Sequence, residues 1–172
     1  LMHSRKSTAE KSSTNINKML DELIELVYHG NKEMLSGTDV LIERDFQEGL
    51  PPVDIVSGDI SRVFVNLYNN AFYSMGRKKN ESNSSDYKPA LKITTKLLSD
   101  SVEIRILDNG VGISEKNKEK VFDPFFTTKP AGVGTGLGLS LRYEIITNGH
   151  NGTLAFESIA GENCCFIINL PT

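Results

Sequence analysis

Apolar positions along the 172-residue chain fall into stretches of two different periods. In "TNINKMLDELIELVYHGNKEML", Ile16, Met19, Leu20, Leu23, Leu26 and Val27 recur at helical spacing, with Thr14 or Asn15 as the cap. "DVLIERDF" then reads as a strand, and "QEGLPPVDI" as a turn with a short extended piece. A second helix, capped by Asp59, is predicted to run to about Lys79, with Ile60, Val63, Phe64, Leu67, Ala71 and Met75 as its core stripe. "NESNSSDYKP" is polar and turn-rich, a surface loop. "ALKITTKLL" and "SVEIRILDN" flank Ser99-Asp100 as the two strands of a hairpin. A short helix near Ser114–Lys120 precedes a glycine-rich loop and a helix from about Gly136 to Asn148. "GTLAFES" and "CCFIINL" close the chain as another hairpin. This mixture predicts an α/β (α+β) two-layer sandwich, a mixed β-sheet with helices on one face.

Composition narrows the class of protein. Hydrophobic residues make up 38% and charged residues 24%, an ordinary globular balance, and the net charge of −3 leaves no basic footprint for nucleic acid. No apolar run approaches the roughly 18 residues of a membrane span. The two cysteines, Cys164 and Cys165, are adjacent on a predicted strand and point to opposite faces, which disfavours a disulfide between them and suits a reducing compartment. Residues 1–13 are polar, without apolar periodicity, and do not start with Met. They are expected to be a linker or the end of an upstream helix, in a piece of a longer protein.

Three stretches carry candidate chemistry. "GVGTGLGLSL" sets four glycines directly against a helix start. Glycine lets backbone N–H groups approach a phosphate, and a helix N-terminus favours negative charge. Lys129 lies beside this run, and Pro124 and Pro130 stiffen its approach. The spacing is neither a Walker loop nor a dinucleotide fingerprint. On the second helix Asn66, Asn70 and Tyr73, at i, i+4 and i+7, share a stripe away from the core. An amide oxygen there can ligate Mg²⁺ without adding charge, although a solvated polar face has the same pattern. "SVEIRILDNGVGI" ends a strand on Asp108, a carboxylate able to accept from an exocyclic amine such as that of adenine; an Asx turn is the plainer alternative.

The order of these stretches resembles the nucleotide-binding boxes of the gyrase, heat-shock chaperone, histidine kinase and mismatch-repair ATPase superfamily, and above all the catalytic ATP-binding domain of sensor histidine kinases. "NLYNNAFYSM" is similar to the asparagine box, "DNGVGI" to the first glycine box, "VFDPFFTTK" to the phenylalanine box and "GVGTGLGLSL" to the second glycine box. The resemblance covers residues 14–172 as one catalytic domain and implies a Bergerat-type ATP-binding fold. It implies that Asn70 ligates Mg²⁺, with Asn66 near the metal or its water. Asp108 would take the adenine amine, with Gly110 and Gly112 leaving room for the base. Lys129 would neutralise phosphates, while Gly134, Thr135, Gly136, Leu137 and Gly138 cradle them. Tyr73, Ile113, Phe126 and Thr128 complete the implied nucleotide contacts.

One position separates the branches of that superfamily. Gyrase, chaperone and mismatch-repair members carry a water-activating glutamate four residues before the metal-binding asparagine; here Asn66 stands there and is no effective general base. The resemblance therefore implies Mg-ATP held for transfer to a histidine on a dimerisation domain, with a response-regulator receiver domain downstream and a homodimeric full-length protein. A cytoplasmic domain is expected, with membrane anchoring left open. The competing readings are a non-catalytic interaction domain of the same fold and a serine kinase of the anti-sigma type.

The chain also departs from the family pattern. "GENCCF" stands for the third glycine box, with Asn163 expected at positive φ and Cys164 in place of a hydroxyl. Tyr73 replaces a residue that is basic or acidic in many relatives, and Asn151 replaces a turn glycine. His3, His29 and His150 are expected to be structural or solvated.

Overall fold

The computed structural model describes residues 10–33, 35, 37–82, 86–124, 126, 127 and 138–172. Helix α1 (Ile16–Gly30) is capped by Asn15, whose side chain accepts from the Lys18 backbone N–H at 3.1 Å. Its buried face is Ile16, Leu20, Ile24 and Val27. Ile24 takes the place expected of Leu26, which is 69% exposed, because the helix turns its fully buried stripe along i, i+4, i+8 and i+11.

Helix α2 (Ser57–Ser82) is longer than predicted at both ends, so Asp59 lies inside its first turn and pairs with Arg62 at 3.2 Å instead of capping it. The predicted stripe is buried throughout, joined by Tyr68 and Phe72. Tyr68 reaches across to donate to the Leu20 carbonyl at 3.0 Å, tying α2 to α1.

Strands β1 (Ser12–Thr14) and β3 (Val53–Ile55) pair antiparallel as a small sheet, so regular structure begins two residues before Thr14. The main sheet has the order β2-β4-β5-β7-β6, with β2 (Leu41–Phe46), β4 (Ala90–Leu97), β5 (Ser101–Asp108), β6 (Thr153–Ile159) and β7 (Asn163–Pro171). Only β2 and β4 run parallel, which makes the sheet mixed as expected. On β4 and β5, Leu91, Ile93, Thr95, Val102, Ile104, Ile106 and Asp108 alternate inward, and Lys92, Glu103 and Arg105 face out. That period of two leaves one face for the helices. The buried Thr95 is satisfied: its Oγ1 donates to Asn17 Oδ1 at 2.8 Å and accepts from Gln47 N at 3.0 Å.

Helix α3 (Glu115–Lys118) is short, and α4 spans Gly138–His150; its predicted start near Gly136 lies outside the described residues. On α4, Ile146 is buried and Leu139 and Ile145 pack partly on the core, whereas Leu141 and Tyr143 are 45% and 39% exposed. His150 ends α4 and is buried; its Nδ1 donates to the Ile145 carbonyl and its Nε2 accepts from Val56 N at 3.0 Å. Asn151 then takes φ 54°, as its place in the turn requires. Asn163 does not: positive φ falls on Gly161 at 78°, and Asn163 is already in β7.

Candidate nucleotide site

Asp108 ends β5 beside the start of the loop Asn109–Ile113, and three neighbours hold that loop. Asn109 acts as a substitute strand, its Oδ1 accepting from Ala90 N at 2.9 Å and its Nδ2 donating to the Lys88 carbonyl at 2.8 Å. Val111 N donates to Ser74 Oγ on α2 at 2.9 Å. Ile113 N donates to Ser158 Oγ at 2.8 Å, and Ser158 in turn donates to the Asn163 carbonyl at 2.6 Å.

The two loop glycines serve this packing. A Cβ on Gly110 would stand 2.2 Å from Ser74 Oγ and 2.7 Å from the Ser74 carbonyl carbon. Gly112 has φ 68°, and a Cβ there would meet the Ile159 carbonyl oxygen at 2.4 Å. Both therefore let the loop sit flush against α2 and the β6–β7 hairpin. Gly110 does not line the cavity that the loop borders, whereas Gly112 does.

That cavity has a volume of about 940 Å³, enough for a nucleotide-sized ligand. Asn66, Asn70, Tyr73, Asp108, Gly112, Ile113, Phe126 and Gly138 all line it, so eight of the predicted residues converge on one space. Thr128, Lys129, Gly134, Thr135, Gly136 and Leu137 lie outside the described residues. The sequence reading missed Ser74, Lys78 and Asn117, which also line the cavity. Ser74 and Lys78 stand one and two turns beyond Asn70 on the same helix face, a spacing that could have found them.

The two ends of the cavity differ chemically. Asp108 is 3% exposed, and burial raises its carboxyl from 3.8 to about 7, against the opposing pull of the Gly110 N–H bond and the Lys78 charge. Its Oδ1 accepts from Gly110 N at 2.9 Å. Cys164 sits directly across the β5–β7 ladder and also lines the cavity; burial, with Asp108 nearby, pushes its thiol up. Cys164 and Cys165 are both free thiols.

At the other end Asn66 Oδ1 is shut off from solvent without a hydrogen-bond partner. Such an orphaned acceptor carries a desolvation cost that a cation or an ordered water would relieve. Asn66 Nδ2 lies 3.0 Å from where a Cβ on Gly138 would stand, so glycine lets the helix start come close. No group of three or more His, Cys, Asp or Glu side chains suited to a metal occurs among the described residues. The donors here fit a hard cation that takes most of its ligands from phosphate and water, with an amide oxygen added.

Residues 55–172 match the family described as histidine kinase-, DNA gyrase B-, and HSP90-like ATPase. The signal transduction histidine-protein kinase AtoS of Escherichia coli is 31% identical over 172 residues, 99% of this chain and 26% of AtoS. Sensor kinase CckA of Brucella abortus is 34% identical over 99% of this chain and 18% of its own length. Across the first curated relatives the chain spans 16% to 38% of their length. The solved catalytic domain of histidine kinase ThkA superposes with a TM-score of 0.76 at 28% identity, covering 94% of this chain and 95% of that domain. ThkA in complex with the response regulator protein TrrA gives a TM-score of 0.72 at 25% identity, covering 94% of this chain and 41% of that one. With the family match, the mixed sheet and the shared cavity in agreement, the chain belongs to the histidine kinase-, DNA gyrase B- and HSP90-like ATPases, with the catalytic domains of sensor histidine kinases as its relatives.

Proposed function

We propose that residues 14–172 form the catalytic domain of a sensor histidine kinase, binding Mg-ATP and donating its γ-phosphoryl group to a histidine on a dimerisation domain. The observation that carries this reading is the pairing, in one cavity, of a buried carboxyl at one end with a buried, unpartnered amide oxygen at the other. Asp108 accepts from the adenine amine, and Asn70 ligates Mg²⁺ with Asn66 on the metal or its water. Lys129 and the segment Gly134 to Leu137 meet the phosphates. The bond from γ-phosphorus to the β–γ bridging oxygen breaks, ADP leaves, and a phosphorus–nitrogen bond forms to the imidazole lone pair. The domain's share is positioning and charge neutralisation.

The lining supports transfer over hydrolysis. Its described acids are Asp108, buried at the far end, and Glu81, paired with Arg77 at 3.1 Å, so none stands by Asn66 to activate water. In the full-length protein the phosphoryl group would pass on to a response-regulator receiver domain. That protein would be a homodimer with this domain on the cytoplasmic side; among the described residues no helix is long and apolar enough to cross a membrane.

Calorimetric titration with ATP, with and without Mg²⁺, tests the reading. Binding strengthened by Mg²⁺ and negligible turnover by the isolated domain are expected. No binding at millimolar ATP would leave a non-catalytic interaction domain of the same fold.

A further inference from the structure

Helices α2 and α4 meet at Asn66 and Gly138, and again where His150 bonds Val56 just before α2. They therefore run antiparallel past one another. Arg62 lies one turn before Asn66 and Arg142 one turn after Gly138, so both sit on the side of that contact away from Asp108. Arg62 is committed to Asp59 at 3.2 Å. Arg142 has no ion pair among those found for the described residues, and its Nε is shut off from solvent without a hydrogen-bond partner. Burial, and after it the like charge of Arg62, lowers its pKa. Neither arginine lines the cavity, but side chains on a helix lean toward its N-terminus, so Arg142 leans toward Gly138 at the cavity's edge, whereas Arg62 leans away.

A guanidinium nitrogen buried without an acceptor, beside a second cation, is relieved by an anionic partner. Given the Mg-ATP reading above, on which this rests, the anion at that end of the cavity is the terminal phosphate. The geometry points to Arg142, reinforced by the field of Arg62, as a binding residue for the γ-phosphate of the nucleotide. Guanidinium suits that partner because its planar fork makes charge-assisted, bidentate bonds to phosphate. ADP, ending one phosphate short, does not reach it.

The test is a comparison of ATP and ADP affinities, each with Mg²⁺, in wild type, Arg142→Gln and Arg142→Lys. In wild type ATP binds more tightly than ADP. Arg142→Gln weakens ATP about tenfold, the size of one charge-assisted bond, and leaves ADP within about twofold. Arg142→Lys recovers part of the loss. An unchanged ATP-to-ADP ratio in Arg142→Gln overturns the assignment while leaving the Mg-ATP reading intact. Equal loss for both nucleotides also overturns it, since that is the behaviour of a residue that supports only the fold. Wild type binding neither nucleotide defeats the Mg-ATP reading itself.

Discussion

At the Asp108 end of the cavity, the loop Asn109–Ile113 has its polar groups tied to β4, α2 and the β6–β7 hairpin. At the Asn66 end, Asn66 Oδ1 and Arg142 Nε are buried without partners. The first region is finished before any ligand arrives. The second keeps those two polar atoms open, and in sequence it is joined through Gly138 to residues 128–137, from which the phosphate contacts are proposed to come. A base brings little charge and is recognised by shape and fixed hydrogen bonds, so a rigid pocket suits it. A triphosphate with its metal brings both signs of charge, and protein groups that already satisfied one another would have to be pulled apart to receive it.

The largest expected effect removes the scaffold that both ends share. Leu67 is 1% exposed on α2, and Leu67→Ala costs about 2–5 kcal/mol of stability, read by urea unfolding, while native protein still binds nucleotide. A variant with unchanged stability but lost binding would make Leu67 part of the site and undo the separation of scaffold from site.

Asp108→Asn separates the ends. Loss of a charged acceptor weakens ADP by about 1.5–3 kcal/mol. The same change raises stability at alkaline pH. With the folded carboxyl held near 7, the stabilising effect of its bound proton is complete below 3.8, the unfolded value, and is lost as pH rises through 7. Above that range wild type holds a buried charge that asparagine does not. By the same linkage, wild-type ADP affinity rises between about pH 6 and pH 8, because the amine donor favours the ionised carboxylate, and Asp108→Asn abolishes the part due to this group. Calorimetry and thermal melts at several pH values read both effects. An Asp108→Asn variant that binds ADP normally would remove the base assignment.

Gly110→Ala sharpens the claim that the Asp108 end is prebuilt. The added methyl runs into Ser74, backbone included, and costs about 1–3 kcal/mol by overpacking, together with weaker ADP binding. A fully stable Gly110→Ala would mean that α2 and the loop are not locked. Asn70→Ala acts at the other end alone: Mg²⁺ should no longer strengthen ATP binding, while metal-free ADP affinity stays as it was. Normal Mg²⁺ dependence in that variant would reassign the metal.

The smallest effect concerns residues 126–135, which contain few large apolar side chains. Their ordering is expected to depend on the triphosphate, so hydrogen exchange centred on Pro130 to Gly134 should slow with a non-hydrolysable ATP analogue. The α4 amides should be protected in both states. Equal protection of residues 130–134 in both states would mean no gating.

Much of this was legible in the sequence because periodic burial writes itself into composition. The hairpins and the α2 stripe follow from spacing, and the convergence of Asn66, Asn70 and Asp108 on one cavity follows from the resemblance to the nucleotide-binding boxes. What spacing hides is which neighbour a residue meets. Leu26 fits a helical stripe as well as Ile24 does, and only the packing partner decides between them. Gly110 and Gly112 read as ligand clearance, and spacing did not show that their missing Cβ atoms face Ser74 and Ile159, contacts across 36 and 47 positions of chain. Arg142 showed no pattern at all, since an arginine on a helix is unremarkable until its lack of a partner is known.

The most direct measurement is a crystal structure of the domain with Mg²⁺ and a non-hydrolysable ATP analogue. The account predicts the adenine amine on Asp108, the metal on the Asn70 amide oxygen with Asn66 on the metal or its water, and the Asn109–Ile113 loop unmoved from its contacts with Ser74 and Ser158. A nucleotide bound with its phosphates toward Asp108, or a loop that rebuilds to receive the base, would contradict it.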